Sequence, residues 1–209
     1  MKISSKISYL IKQIRESEHW WKANYHATWK TSKTIKEEFE SSDKWKLPHT
    51  RSLPASRNGS HMYPSVEFFN YILTHRDGEI ALNHTTRILS LLEKLVKEAH
   101  KYLYPDDETL YTANQENLIR FLKWKGFLKN DEENELRLAL QTRNCVVHNG
   151  TEADDKYMSI LQKTKDRDSE EVKKVNETVT VCSSLYWLED WHNLLLRITE
   201  RLEKHILSL

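Results

Sequence analysis

Residues 79–104 read EIALNHTTRILSLLEKLVKEAHKYLY, and this stretch decides the fold. Ile88, Leu92, Leu95, Ala99 and Tyr102 recur at spacings of 4, 3, 4 and 3, and Leu89, Val96 and Leu103 widen the stripe. That period is one face of an α-helix. Pro105-Asp106-Asp107 ends it, and Asp77-Gly78 marks a turn before it. Upstream, Ser65 is placed to cap a short helix carrying Val66, Phe68, Phe69, Ile72 and Leu73. Downstream, Asn117 to Trp124 makes a short helix stopped near Gly126. Asn130 or Asp131 caps another that runs to His148, where Asn149-Gly150 stops it. Residues 151–177 are polar and mixed and read as irregular. Glu177 to Cys182 alternates like one short β element. Ser183 or Ser184 then caps a last helix, with Leu185, Leu188, His192, Leu195, Thr199, Leu202 and Ile206 in one stripe. The expected class is mainly α, a helical bundle with long helices at 79–104 and 184–208.

The 209 residues hold 32 Lys+Arg against 31 Asp+Glu, so net charge gives no argument for nucleic acid or membrane. Its distribution is more informative. Residues 1–58 carry 12 basic against 6 acidic side chains, and the rest carry 20 against 25. Four of the seven Trp (Trp20, Trp21, Trp29, Trp45) also lie in that first segment. Residues 1–58 thus form a basic, Trp-rich arm or helical extension, which either packs on the body or binds single-stranded nucleic acid. Lys46 to Pro64 holds three of the four prolines and reads as a linker, with residues 59–64, including Gly59-Ser60-His61-Met62, at its end. Residues 65–209 form the helical domain. Two cysteines, Cys145 and Cys182, exclude a disulfide framework and a four-thiolate zinc site. No apolar window approaches 18 residues, and the N-terminus lacks a signal-peptide core, so a cytoplasmic protein without membrane contact is expected.

One helix carries the candidate chemistry. Its apolar stripe is Leu136, Ala139, Leu140, Val146 and Val147, and the position that continues the stripe between them is Arg143. A guanidinium aimed at a buried face needs anions or carbonyls around it. His148 follows in the last turn, a titratable imidazole at the negative end of the helix dipole. Arginine offers a fixed fork for a phosphate, and histidine a proton shuttle. An RNA 2′-hydroxyl attacking its own phosphate needs those two groups and no metal. The alternative is an arginine that bonds backbone carbonyls beside a surface histidine. His84 and His192 read as core or edge histidines. The carboxylates at 106–108, 131–133 and 154–155 read as solvated caps, and no metal or cofactor is expected. A Gly-rich phosphate loop, a Gly-x-Ser-x-Gly elbow and a His-Glu-x-x-His helix are absent from the sequence.

Arg143-Asn144-Cys145-Val146-Val147-His148 resembles the signature of the HEPN (higher eukaryotes and prokaryotes nucleotide-binding) domain, an Arg and a His separated by four to six residues, the first usually Asn, Asp or His. The resemblance spans about residues 66–208 and leaves residues 1–58 outside. It implies a helical bundle that dimerises with two such motifs face to face. It also implies a metal-independent endoribonuclease of a prokaryotic toxin–antitoxin or other defence system. His148 would then be general base or acid, Arg143 would hold the scissile phosphate, and Asn144 would orient the site. The products would carry a 2′,3′-cyclic phosphate and a 5′-hydroxyl. Asn149 and Tyr157, just beyond the motif, are weaker substrate-contact candidates, and Tyr157 reads also as packing. Expected partners are an RNA such as tRNA, a second copy that completes the site, and an antitoxin or sensor protein. The alternative is a non-catalytic HEPN-like subunit that binds nucleotide or RNA or acts as a scaffold, and a third reading has the Trp-rich arm as an interaction segment.

Overall fold

The computed structural model describes residues 4–41, 66–107, 115–165, 169–178, 180–181 and 185–209. The linker, Trp45, Cys182 and the proposed capping residues Ser65, Ser183 and Ser184 lie outside them. Among the described residues are seven helices: α1 (Ser5–Ser41), α2 (Val66–Leu103), α3 (Gln115–Trp124), α4 (Glu133–His148), α5 (Asp155–Thr164), α6 (Glu170–Thr178) and α7 (Leu185–Leu207). The chain is mainly α, a helical bundle. No described helix is long and apolar enough to cross a membrane.

α2 packs against α1, α4 and α7, and its wide stripe follows from having three neighbours. Ile88, Leu89, Leu92, Leu95, Val96 and Ala99 are all fully buried on it. α7 buries both of its stripes, Leu188, Leu195 and Leu202 on one and Trp187, Trp191, Leu194 and Ile198 on the other. The basic N-terminal segment is a core helix for much of its length. Ile7, Leu10, Ile11, Ile14, Ser17 and Trp21 recur at helical spacing and are buried against α2 and α7. α1 runs antiparallel to α2: Lys6 pairs with Glu98, and about five turns further along α1 Asn24 meets His84, nearer the start of α2. Burying each of these Ile and Leu side chains is worth about 1.5–3 kcal/mol. Trp20 and Trp29 stay half exposed, so only one of the three described arm tryptophans packs inside.

Four expectations need correction. Asp77-Gly78 is no turn, because α2 runs through it without a break. One interior glycine costs only about 1 kcal/mol, and the packing of a long helix outweighs that. Residues 151–177 are not irregular but hold α5 and most of α6. Asp154 caps α5 by accepting from Tyr157 N at 2.7 Å, and Ser169 accepts from Val172 N at 3.3 Å at the start of α6. Among the described residues these helices bury Tyr157 and Leu161, and Val172 and Val175, too few for a stripe to stand out in a polar stretch. Of the expected β element, Glu177 and Thr178 belong to α6, and the described residues beyond them show one antiparallel bridge between Glu152 and Thr180, with Val181 N bonding Thr151 O at 2.9 Å.

The fourth correction concerns the start of α4. Neither Asn130 nor Asp131 caps it. The capping position is Glu132, in helical conformation and without a capping side chain. Its carboxylate is buried and committed elsewhere. Arg201 of α7 grips it with two hydrogen bonds at 2.5 and 2.9 Å, Arg197 donates at 3.0 Å, and Lys129 N at 3.1 Å. The Arg201 hydrogen bonds, with help from Lys129 N and Arg197, hold the Glu132 carboxyl down at about 2. So it is not a solvated cap but a clamp between α4 and α7. A carboxyl lowered in the folded state stabilises fully above its unfolded pKa, near 4.5, and loses that contribution as pH falls through about 2. Glu132→Gln is expected to cost about 3 kcal/mol at pH 7. Urea unfolding should show the difference shrinking between pH 4.5 and 2.

Candidate functional site

The candidate site is the last turn and a half of α4. The helix ends at His148, with Asn149 and Thr151 both returning their N–H groups to Cys145 O at 2.9 and 3.1 Å. Gly150 (φ 60°) and Thr151 (φ 79°) then turn the chain in the left-handed region. A β-branched residue there is strained and persists only where its surroundings hold it. Thr151 is held by the Val181 N–H bond to its carbonyl and by the neighbouring Glu152–Thr180 bridge.

Arg143 does not continue the buried stripe. Thr142 and Cys145 do, together with Leu138, Ala139, Leu140 and Gln141. Thr142 satisfies its hydroxyl on Leu138 O at 2.9 Å, which is how a polar residue fits that face. Arg143 lies on the flank, 23% exposed, where its Nη1 donates to Glu93 Oε1 of α2 at 3.2 Å. Its Nε is buried with no acceptor among the described residues. Asn144 is turned toward α3 in a reciprocal amide pair, accepting from Gln115 at 2.8 Å and donating to it at 3.0 Å. Val147 is half exposed and His148 is exposed, with no hydrogen bond or ion pair among the described residues. Five helical positions separate Arg143 from His148, about 140° around the axis and about 7.5 Å along it. Within one chain the two side chains therefore diverge.

The residues just beyond the motif serve the turn. Asp154 Oδ2 accepts from Gln141 at 2.8 Å and from Asn149 at 3.4 Å, while its Oδ1 caps α5. Asn149 is thus a strut of the turn, and Tyr157 is fully buried in the core, out of reach of a surface ligand. The Cys145 thiol is buried too, and burial pushes its pKa up, away from a nucleophilic thiolate. His192 and His84 are buried at the α1 interface, on Ser17 at 3.2 Å and Asn24 at 3.3 Å. Burial lowers both of their pKa values, as a core reading of these histidines requires. Among the described residues no group of three or more His, Cys, Asp or Glu side chains is placed to hold a metal ion.

Sequence reasoning missed Glu93 and Gln115, which lie 50 and 29 residues from the side chains they meet. Asp154 had a signal, an aspartate directly before an amphipathic decapeptide. Comparison with protein-family models, curated proteins and solved structures found no match to this chain. Asp154→Ala removes a helix cap and the tie on Asn149 together. It should cost about 1–2 kcal/mol in urea unfolding, and Asn149→Ala distinctly less.

Proposed function

We propose that the chain is a metal-independent endoribonuclease, with the Arg143–His148 segment as its site. The observation that carries this reading is the contrast along α4. Arg143 keeps a half-buried guanidinium that is short of acceptors, and His148 has an exposed imidazole that no fold contact uses. A phosphate would supply the acceptors Arg143 lacks, and the imidazole is free to move a proton. The likeness of the segment to the HEPN signature supports the same chemistry.

In the proposed reaction His148 removes the proton from the RNA 2′-hydroxyl. The alkoxide attacks the adjacent phosphorus, and the bond to the 5′-oxygen breaks. A second imidazole returns a proton to that oxygen, leaving a 2′,3′-cyclic phosphate and a 5′-hydroxyl. Arg143 neutralises the charge that builds on the phosphate oxygens. Because Arg143 and His148 diverge around α4, a second copy related by a two-fold axis would supply the missing pair. Asn144 acts through Gln115 by fixing α3 against the site. In biological terms this is a cytoplasmic effector of a toxin–antitoxin or defence system, cutting an RNA such as tRNA and restrained by an antitoxin or sensor partner.

One observation favours a second reading. Glu93 already faces Arg143, so the guanidinium that should hold phosphate is partly neutralised. A non-catalytic subunit that binds RNA or nucleotide, or acts as a scaffold, would tolerate that pairing. The two readings part on turnover. Wild type incubated in EDTA with end-labelled total RNA and tRNA should leave cyclic-phosphate ends. His148→Ala should lower cleavage by about 10²–10⁴-fold with an unchanged thermal melt. Equal cleavage by His148→Ala would overturn the assignment, and RNA binding without any turnover would favour the second reading.

A further inference from the structure

Trp124 is the most exposed tryptophan among the described residues, 72% accessible at the end of α3. The Tyr104 ring faces it with centroids 6.5 Å apart and a tilt of 36°. Lys125 lays its ammonium between them, 3.4 Å from the Trp124 centroid and 4.1 Å from that of Tyr104. The other half-exposed tryptophans differ. Trp20 meets Arg87 at 5.3 Å and Trp29 meets Lys33 at 5.4 Å, each cation over a single ring.

We infer that Trp124 and Tyr104 form a clamp for one unpaired base of a single-stranded RNA, with Lys125 as its resident occupant in the free protein. A flat base between two rings needs about 7 Å, twice the roughly 3.4 Å rise of stacked bases. The observed centroid gap of 6.5 Å is close to that, and the 36° tilt between the rings closes as the base enters. The clamp is built rather than accidental. Gly126, at φ 73°, ends α3 with Phe127 N on Leu122 O at 2.8 Å and Gly126 N on Lys123 O at 2.9 Å. This closure fixes where Trp124 and Lys125 project. Tyr104 is backed by Phe121 and His100, and His100 in turn bonds Asp107 at 3.2 Å. Rings held in place lose little entropy when a ligand stacks on them.

Charge decides the kind of occupant. A cationic ligand would have to displace a like-charged ammonium. An RNA base brings its phosphates, and Lys125 can exchange its ring contact for a phosphate contact when the base enters. Lys101, exposed one turn before Tyr104 on α2, adds a second cation on that side. The clamp lies at the far end of α3 from Gln115 and Asn144. α3 and α4 are antiparallel, since Gln115 meets Asn144 while Lys123 meets Glu133. The separation along α3 is about 13 Å, so the clamp would hold the strand a few nucleotides from the cleavage point. This inference rests on the ribonuclease reading for its choice of RNA.

The test uses the full chain with His148→Ala, which cannot cleave under that reading, and fluorescein-labelled 12-mers of adenosine and of uridine. Adding Trp124→Ala should weaken binding by about 5- to 150-fold, the worth of one stacked base, and Trp124→Phe should recover part of it. The adenosine strand should bind tighter than the uridine strand, and Trp124→Ala should erase that preference. Lys125→Gln should lower the salt slope by about one phosphate contact. Unchanged affinity in Trp124→Ala, or no RNA binding by the parent, overturns the clamp. So does trimethyllysine peptide binding that needs Trp124 while RNA binding does not. Wild type that fails to cleave, alongside Trp124-dependent RNA binding, would sink the nuclease reading and keep the clamp.

Discussion

α4 is held by its own polar side chains, and the candidate site depends on that. Glu132, just ahead of its first turn, is clamped by Arg197 and Arg201 of α7. Arg137 joins it to α3 through Glu116, at 2.6 and 2.8 Å. Glu135 accepts from Lys165, just past α5, at 2.7 Å and from Trp191 of α7 at 3.3 Å. Asn144 takes Gln115, and Arg143 takes Glu93 of α2. One such tie at the surface is worth a fraction of a kcal/mol, but several between the same rigid bodies fix register as well as energy. A buried stripe alone would let the helix slide. With every turn tied, its end is presented in one orientation, and His148 is left out of the network.

The parts of the fold that were legible are those where apolar periodicity is long. α2 and α7 carry stripes of five or more positions, and the structure buries them. The stop after His148 was legible because Asn-Gly offers a residue for the left-handed turn; the structure adds that Thr151 shares the strain. Trp21 was readable as packing, since Ile7, Ile14 and Trp21 repeat every seven residues on one face. What failed had a common cause. α5 and α6 are short, and two buried side chains each cannot make a period. Glu132 looked like one of three loop carboxylates, and only the three-dimensional approach of α7 separates it from Asp131. Arg143 was placed on the stripe because Val146 and Val147 were counted as core. Val147 is half exposed, and the small residues Thr142 and Cys145 fill the face instead.

The candidate site was partly legible. Its two chemical residues come from the sequence, but their environment does not. Glu93 changes the meaning of Arg143, from a bare phosphate hook to a guanidinium shared with a carboxylate. A phosphate arriving there must compete with Glu93 or gather the other N–H donors of the fork, which has five in all and spends one on Glu93. Asn144 and Asn149 are spent on holding α3 and the turn, so they support the site from behind. Together with the divergence of Arg143 and His148 around α4, this leaves a single chain with half of what the proposed transesterification would need.

The proposed site is therefore completed by a second copy. Light scattering on the cleaving protein at micromolar concentration should give a mass twice the 24.9 kDa of the chain. A sample that cuts RNA while holding the mass of one chain would contradict it.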